Sequence, residues 1–341
     1  MTFAMKPTHA LTGLGLLLLS AFAASPAGDA VAIPGGHGGI GFDDLRYSAK
    51  LHRVLVPAGR TGTLAMIDPG TMAVTSIGGF ATTGRYAGGH DDGPTSVDEG
   101  DGLLFVTDRT SRKLNVVDPV AGRVTASVRL AAQPDYVRFV AATRELWVTE
   151  PDADQLEIFT VGASATVPPA HAALLPVKNG PESLVIDGKR GRAYTHRWSS
   201  STVALDVARR TIVAEWPNGC AASRGIALDE ARGFLFTSCA EGTATVIDVA
   251  SGKLLSKLAR GAGYDVIGYA PKTSHLYLAG SKCACLVTLG VSPTGGLTFI
   301  GRADAAPSAH CAVADDAGHA WWCDQANGSV WRVTDSAAPT L

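Results

Sequence analysis

The sequence predicts an all-β fold, a seven-bladed β-propeller built of four-stranded antiparallel blades. Three observations carry this. A unit of about 45 residues recurs through most of the chain. Its runs are short, aromatic and β-branched, with turn residues between them. No stretch after Ala23 sustains the 3.6-residue period of an amphipathic helix. The chain has 341 residues, 46% hydrophobic and 18% charged, which supplies enough apolar material for a full core. A net charge of -2 leaves no global field to draw the chain onto nucleic acid or anionic lipid.

Before the first repeat, Lys6 is followed by the apolar stretch Leu11 to Ala23, and Ala21-Phe22-Ala23 gives a small-x-small cleavage pattern. Residues 1–23 are therefore expected to be a secretory signal peptide. The alternative is an uncleaved anchor, although the stretch is short for a span. Nothing after Ala23 is long and apolar enough to cross a membrane. The mature chain is expected to be exported, to the periplasm or outside the cell. Residues 24–40 read as a leader, with Gly35-Gly36-His37-Gly38-Gly39 mobile. Within it, Asp29–Ile33 is expected to supply the outer strand that the last unit lacks, closing the ring and covering an edge. The propeller fills residues 41–334, and residues 335–341 form a tail.

The second runs of the seven units are RVLVP (53–57), LLFVT (103–107), ELWVT (145–149), RAYT (192–195), FLFTS (234–238), HLYLA (275–279) and HAWWC (319–323). The third runs begin at residues 63, 114, 155, 202, 243, 285 and 329. Four of them end on an Asp followed by Pro or Val: Asp68, Asp118, Asp206 and Asp248. A carboxylate there can accept backbone N–H groups and start the turn into the fourth strand.

The runs LLFVTDR, ELWVTEP, GIALDEARGFLFTSC with TATVIDVASGKLL, and HCAVADDAGHAWWCD resemble the YVTN-type, YncE-like bacterial exported propellers, as does the opening GPESLVID. The resemblance covers nearly all of the mature chain. It implies the WD40-like propeller fold and export. It leaves function open, because the family includes binding and scaffold proteins while related propellers serve as enzyme subunits, lactonases and lyases.

In a propeller the innermost strand of each blade lines the central channel. Loops entering that strand and loops leaving the second strand share one face, here called the top. The residue before each innermost run is Asp43 or Asp44, Thr95, Asp135, Glu182, Arg224, Asp265 and His310. These are expected to ring the channel mouth. His90, with Asp91 and Asp92, enters the second unit on the same face, and His196-Arg197-Trp198 leaves the second strand of the fourth. Asp108-Arg109 and Glu150-Pro151-Asp152 occupy equivalent exits. His90 and His196 are the candidate bases, and Trp198 is either a ligand wall or packing between blades. Asp135, Glu182, Asp265 and His310 are the candidate ligands for a divalent cation, Ca²⁺ or Mg²⁺. Arg224 suits the carboxylate of a ligand. The plain alternative is a wet polar channel in which these groups serve as solvated caps.

All six Cys lie in the last third of the chain. Behind a signal peptide an even count favours disulfides. The strand mapping places Cys220 and Cys239 together on the top of the fifth unit, and Cys311 beside Cys323 in the seventh. Cys283 and Cys285 are left reduced or paired with each other.

No serine elbow, phosphate loop, dinucleotide fingerprint, haem motif or basic stripe is present. Two readings follow. One is a binding or scaffold module that recognises a small ligand or protein partner at the top face and channel mouth, without nucleic acid. The other is a lactonase-like hydrolase or lyase using a divalent metal in the channel. The oligomeric state leaves no mark in the sequence.

Overall fold

The computed structural model describes Met1 and residues 28–335, so the expected signal peptide, Met1 apart, lies outside the described residues. Seven separate four-stranded sheets are present, antiparallel throughout. Blade one holds Arg46–Ser48, Arg53–Pro57, Thr63–Ile67 and Val74–Gly78. Blades two to six follow in chain order, their innermost strands being Pro94–Gly100, Val137–Val140, Glu182–Asp187, Ser223–Asp229 and Tyr264–Ala270. Blade seven holds Ala312–Ala314, His319–Asp324 and Ser329–Thr334, and its outer strand is Asp29–Ala32 from the other end of the chain. That strand pairs with Ser329–Arg332, with Val31 opposite Val330. Each innermost strand neighbours the next, and Ala312–Ala314 returns to Arg46–Ser48, which closes the ring. Helix is confined, among the described residues, to two three-residue turns, and no helix is long and apolar enough to cross a membrane.

The second strands form the core, as their aromatic content requires. Trp147, Trp321, Phe105, Phe236 and Tyr277 are all buried there, packed between neighbouring blades. The outer strands of blades two, four and five mix exposed and half-buried residues and bury none fully, since only one side packs on the blade. The four Asp residues that end third strands make the turns expected of them. Asp68 accepts from Gly70 and Thr71, Asp118 from Val120 and Ala121, Asp206 from Arg209, and Asp248 from Ala250.

The leader is pinned, contrary to the expectation of a mobile segment. Arg60 donates to the carbonyls of Gly39 at 2.6 Å, His37 at 2.7 Å and Gly35 at 3.1 Å. One guanidinium thus satisfies three carbonyls of a glycine run that has no strand partner of its own.

Three disulfides are present, with Cα separations of 5.3 Å for Cys220–Cys239, 5.5 Å for Cys311–Cys323 and 5.2 Å for Cys283–Cys285. They fit an oxidising, exported environment.

Candidate functional site at the channel mouth

The innermost strands do not enter the sheet smoothly. Their pairing slips near the top in blades two, four, five and six. In blade five, Ser223 faces Cys239 and Ile226 faces Thr237, so Arg224 and Gly225 together oppose Ser238. In blade six, Asp265 and Val266 are displaced in the same way. A bulge leaves the extra residue outside the ladder and re-aims its side chain. Here the bulges turn Arg224 and Asp265 towards the axis. Gly225 makes the approach of the two blades feasible, because a Cβ at that position would lie 2.1 Å from the Asp265 carbonyl oxygen. Ser238 completes the join, donating to that oxygen at 2.5 Å and accepting from the Gly225 N–H at 2.8 Å.

A cavity of about 300 Å³ opens at this face, lined by Asp43, His90, Arg109, Asp135, Glu182, Trp198, Arg224 and Asp265 among others. Six blades or their entry loops contribute. A larger cavity of about 420 Å³ lies where the innermost strands end, with Arg46, Tyr47, Tyr269 and Asp316 in its wall.

The two adjacent carboxylates at the start of blade one part company. Asp43 faces the mouth, with Oδ2 3.2 Å from His90 Nδ1. Asp44 turns into the channel and is held by Arg138 and Ser96. Gly41 lets the His90 loop lie against this segment, since a Cβ on it would sit 2.4 Å from the Gly89 carbonyl oxygen and 2.8 Å from His90 Cα.

Arg109 braces one wall. Its guanidinium donates to Pro134 O at 2.9 Å and to Asp91 Oδ1 at 2.8 Å, and it pairs directly with Asp135. His310 donates through Nδ1 to the Ser308 carbonyl at 3.0 Å, and its ring lies 5.5 Å from that of His90. Arg224 differs from both other arginines. It lies over the Trp198 ring at 5.1 Å and donates only to its neighbour's carbonyl, that of Ser223. Among the described residues no carboxylate comes within ion-pair range of it.

Burial and crowding set the charges. Burial would raise the Asp43 carboxyl, but His90, Arg109 and His310 outweigh it and hold the group below the usual carboxylate range. The Asp43 charge in turn raises His90 to about 9, against burial, so this imidazole carries a proton at neutral pH. Burial pushes Asp135 up to about 7 against the pull of Arg109. Burial, reinforced by Asp135 and Asp265, pushes Glu182 well above its ordinary value. Asp265 is also raised by burial, with His310 pulling against it.

The structure thus brings together Asp43, Asp135, Glu182, Arg224, Asp265, Trp198 and His90 in one cavity, with His310 beside it. Trp198 is 39% exposed and forms part of the wall. Thr95 is fully buried, and its hydroxyl has no hydrogen-bond partner among the described residues. His196 stands apart from the mouth: it is fully buried, with Nδ1 2.9 Å from the Thr202 hydroxyl, and burial lowers it to about 3. Two arginines carry weight that their sequence positions did not signal. Arg109 was visible only as part of an exit loop. Arg138 sits mid-strand in VRFV, and the one hint was a charge where an inner strand otherwise carries apolar residues.

No protein-family model matches the chain, and neither does any curated protein. Solved structures do. The chain superposes on a component of the Mitotic Checkpoint Complex with a TM-score of 0.71 and 13% identity, covering 98% of this chain and 99% of that one. Hydrazine Synthase of Kuenenia stuttgartiensis gives 0.69 at 11% identity over 94% and 99%. The β-propeller domain of Myceliophteria thermophila Cps50 (Swd1) gives 0.69 at 12% identity over 89% and 99%. At such identities the likeness concerns the fold alone. The protein is a seven-bladed β-propeller with a charged cavity at one mouth of its channel.

Proposed function

We propose that this chain is an exported, YVTN-type propeller that acts as a binding module, taking the carboxylate of a small polar ligand at its top mouth. The same chemistry is offered by an acidic side chain or C-terminus of a protein partner. The observation that carries the reading is Arg224. Its guanidinium lies over the Trp198 ring, faces a cavity of about 300 Å³, and has no carboxylate partner within ion-pair range among the described residues. A guanidinium held over an aromatic ring, with one N–H on the Ser223 carbonyl and no carboxylate on the rest of its fork, is preorganised for an incoming carboxylate. The surrounding acids, Asp135, Glu182 and Asp265, favour hydroxyl or amino groups on the rest of the ligand. The cavity volume falls at the small end of the range for ligand sites.

The lactonase-like reading, a hydrolase or lyase, asks more of the site than it supplies. Of its two candidate bases, His90 holds its proton at neutral pH, and His196 is sealed away from the cavity. Neither is placed to accept a proton from a substrate.

A thermal-shift panel of small mono- and dicarboxylates, with and without amino and hydroxyl groups, tests the proposal. At least one compound raises the wild-type melting midpoint by linkage and leaves Arg224→Met unmoved. A panel that moves neither protein counts against it, as does a shift that survives in Arg224→Met.

A further inference from the structure

The rim of the cavity carries a group of side chains that anion binding leaves unused. Asp43, His90 and His310 each offer a ligand atom, and these atoms all lie within 4.8 Å of one another. They come from the entry loops of blades one, two and seven. We infer that these three residues form a site for a divalent transition ion of the zinc or cobalt type. The ion would take one carboxylate and two imidazoles and keep a coordination position open to the mouth. The inference stands apart from the role given to Arg224.

The first support is orientation. His310 is only 8% exposed, and its Nδ1–H is spent on the Ser308 carbonyl, which leaves Nε2 as the bare nitrogen. That nitrogen is buried and has no hydrogen-bond partner among the described residues. An imidazole whose far nitrogen is fixed by a backbone carbonyl is the usual supporting arrangement for a metal ligand. Asp43 Oδ2 is likewise buried and lacks an aligned hydrogen bond, although Asp43 is 3% exposed.

The second support is spacing. Bonds to a tetrahedral ion imply a ligand-to-ligand edge of roughly 3.3 Å. Asp43 Oδ2 and His90 Nδ1 already stand 3.2 Å apart. The two edges to His310 lie within 4.8 Å, and closing them asks a ring adjustment of His310 or of the partly exposed His90.

The donor set then selects the ion. Calcium and magnesium want six or more oxygens in most sites. Two nitrogens and one oxygen suit zinc, cobalt or copper. The carboxylates of Asp135, Glu182 and Asp265, the donors expected from sequence, do not form such a group with His310. Arg109 approaches His90 Nδ1 at 3.2 Å, but its charge is offset by Asp91 and Asp135, which keep hold of the guanidinium. Ligation through His90 Nδ1 requires that nitrogen to be free of its proton, so binding is linked to pH. The other group of possible ligands, Cys220, Cys239 and Glu241, has both sulfurs in a disulfide.

The test uses the purified protein, tag removed and stripped with EDTA, titrated with Co²⁺ and with Zn²⁺. The expected result is one Co²⁺ per chain with visible d–d bands of a four-coordinate nitrogen and oxygen site, and a melting midpoint raised by Zn²⁺. Both signals vanish in His90→Ala and in His310→Gln and persist in Glu182→Gln. Arg224→Met keeps them too, which separates this site from the anion site. The wild-type cobalt spectrum reads the donors directly, should a histidine variant fold poorly. Three results overturn the inference: no Co²⁺ or Zn²⁺ bound, bands that survive loss of either histidine, or a midpoint raised by Ca²⁺ or Mg²⁺ alone.

Discussion

Arg138 donates two hydrogen bonds to Asp44, at 2.6 and 3.0 Å, joining the innermost strand of blade three to the entry of blade one. The pair is almost wholly shielded from solvent. Arg138 also donates to Leu184 O of blade four at 2.9 Å, and Asp44 accepts from Ser96 of blade two at 2.6 Å. Four blades meet in one charge-assisted network beneath the mouth.

Breaking such a pair leaves an uncompensated buried charge, which costs about 3–5 kcal/mol. Arg138→Met and Asp44→Asn should each lower stability by that order in denaturant titrations. The joint change Asp44→Leu with Arg138→Met should cost less than either alone, because no lone charge remains. Additive losses would show that the two residues do not act on each other.

The bridges Cys220–Cys239 and Cys311–Cys323 span separations of 19 and 12 residues. Loop-closure entropy puts the stabilisation from each at about 3 kcal/mol. Replacing either pair by serines should lower the melting midpoint by several degrees. The Cys283–Cys285 pair, with a separation of 2, closes the shortest loop and should matter least. Melts of the three double variants, with and without reductant, measure the order.

Two buried groups tie stability to pH in opposite directions. His196 is lowered from 6.5 to about 3 by burial, so the unfolded chain binds its proton first as pH falls. Its contribution is intact above pH 6.5 and drains away as the pH drops towards 3. Glu150 is raised from 4.5 to about 7 by burial, with Gln155 and the Ala132 N–H pulling against the rise and Glu157 beside it adding to it. The folded state therefore holds that proton longer, and the contribution of Glu150 is lost as pH rises from 4.5 through 7. His196→Gln should flatten the acid limb of a stability–pH profile, and Glu150→Gln the limb near neutrality. Parallel profiles for wild type and either variant would refute the corresponding assignment.

The fold was legible because a propeller repeats its chemistry. Asp68, Asp118, Asp206 and Asp248 mark the same turn four times, and Trp147, Tyr194, Tyr277 and Trp321 recur in second strands. The mouth was legible in part, since position before an innermost strand maps directly onto the rim. The choice between Asp43 and Asp44 was not, because neighbouring residues of an extended chain face opposite ways. His196 was misplaced for a different reason: it is the last residue of its strand and buried in the blade, whereas Trp198, two residues on, lies beyond the strand end and lines the cavity. Arg109 and Arg138 act several ångströms from their own Cα atoms, and no local pattern records where a long side chain ends.

The central claim is that Arg224, laid over Trp198 and without a carboxylate partner among the described residues, is the anchor for a ligand carboxylate. Isothermal titration of wild type, Arg224→Met and Arg224→Lys with the best compound from the carboxylate panel tests it most directly. The account predicts saturable one-site binding in wild type, loss in Arg224→Met, and only partial recovery in Arg224→Lys, which restores the charge without the planar fork. Equal affinity in all three proteins would contradict it.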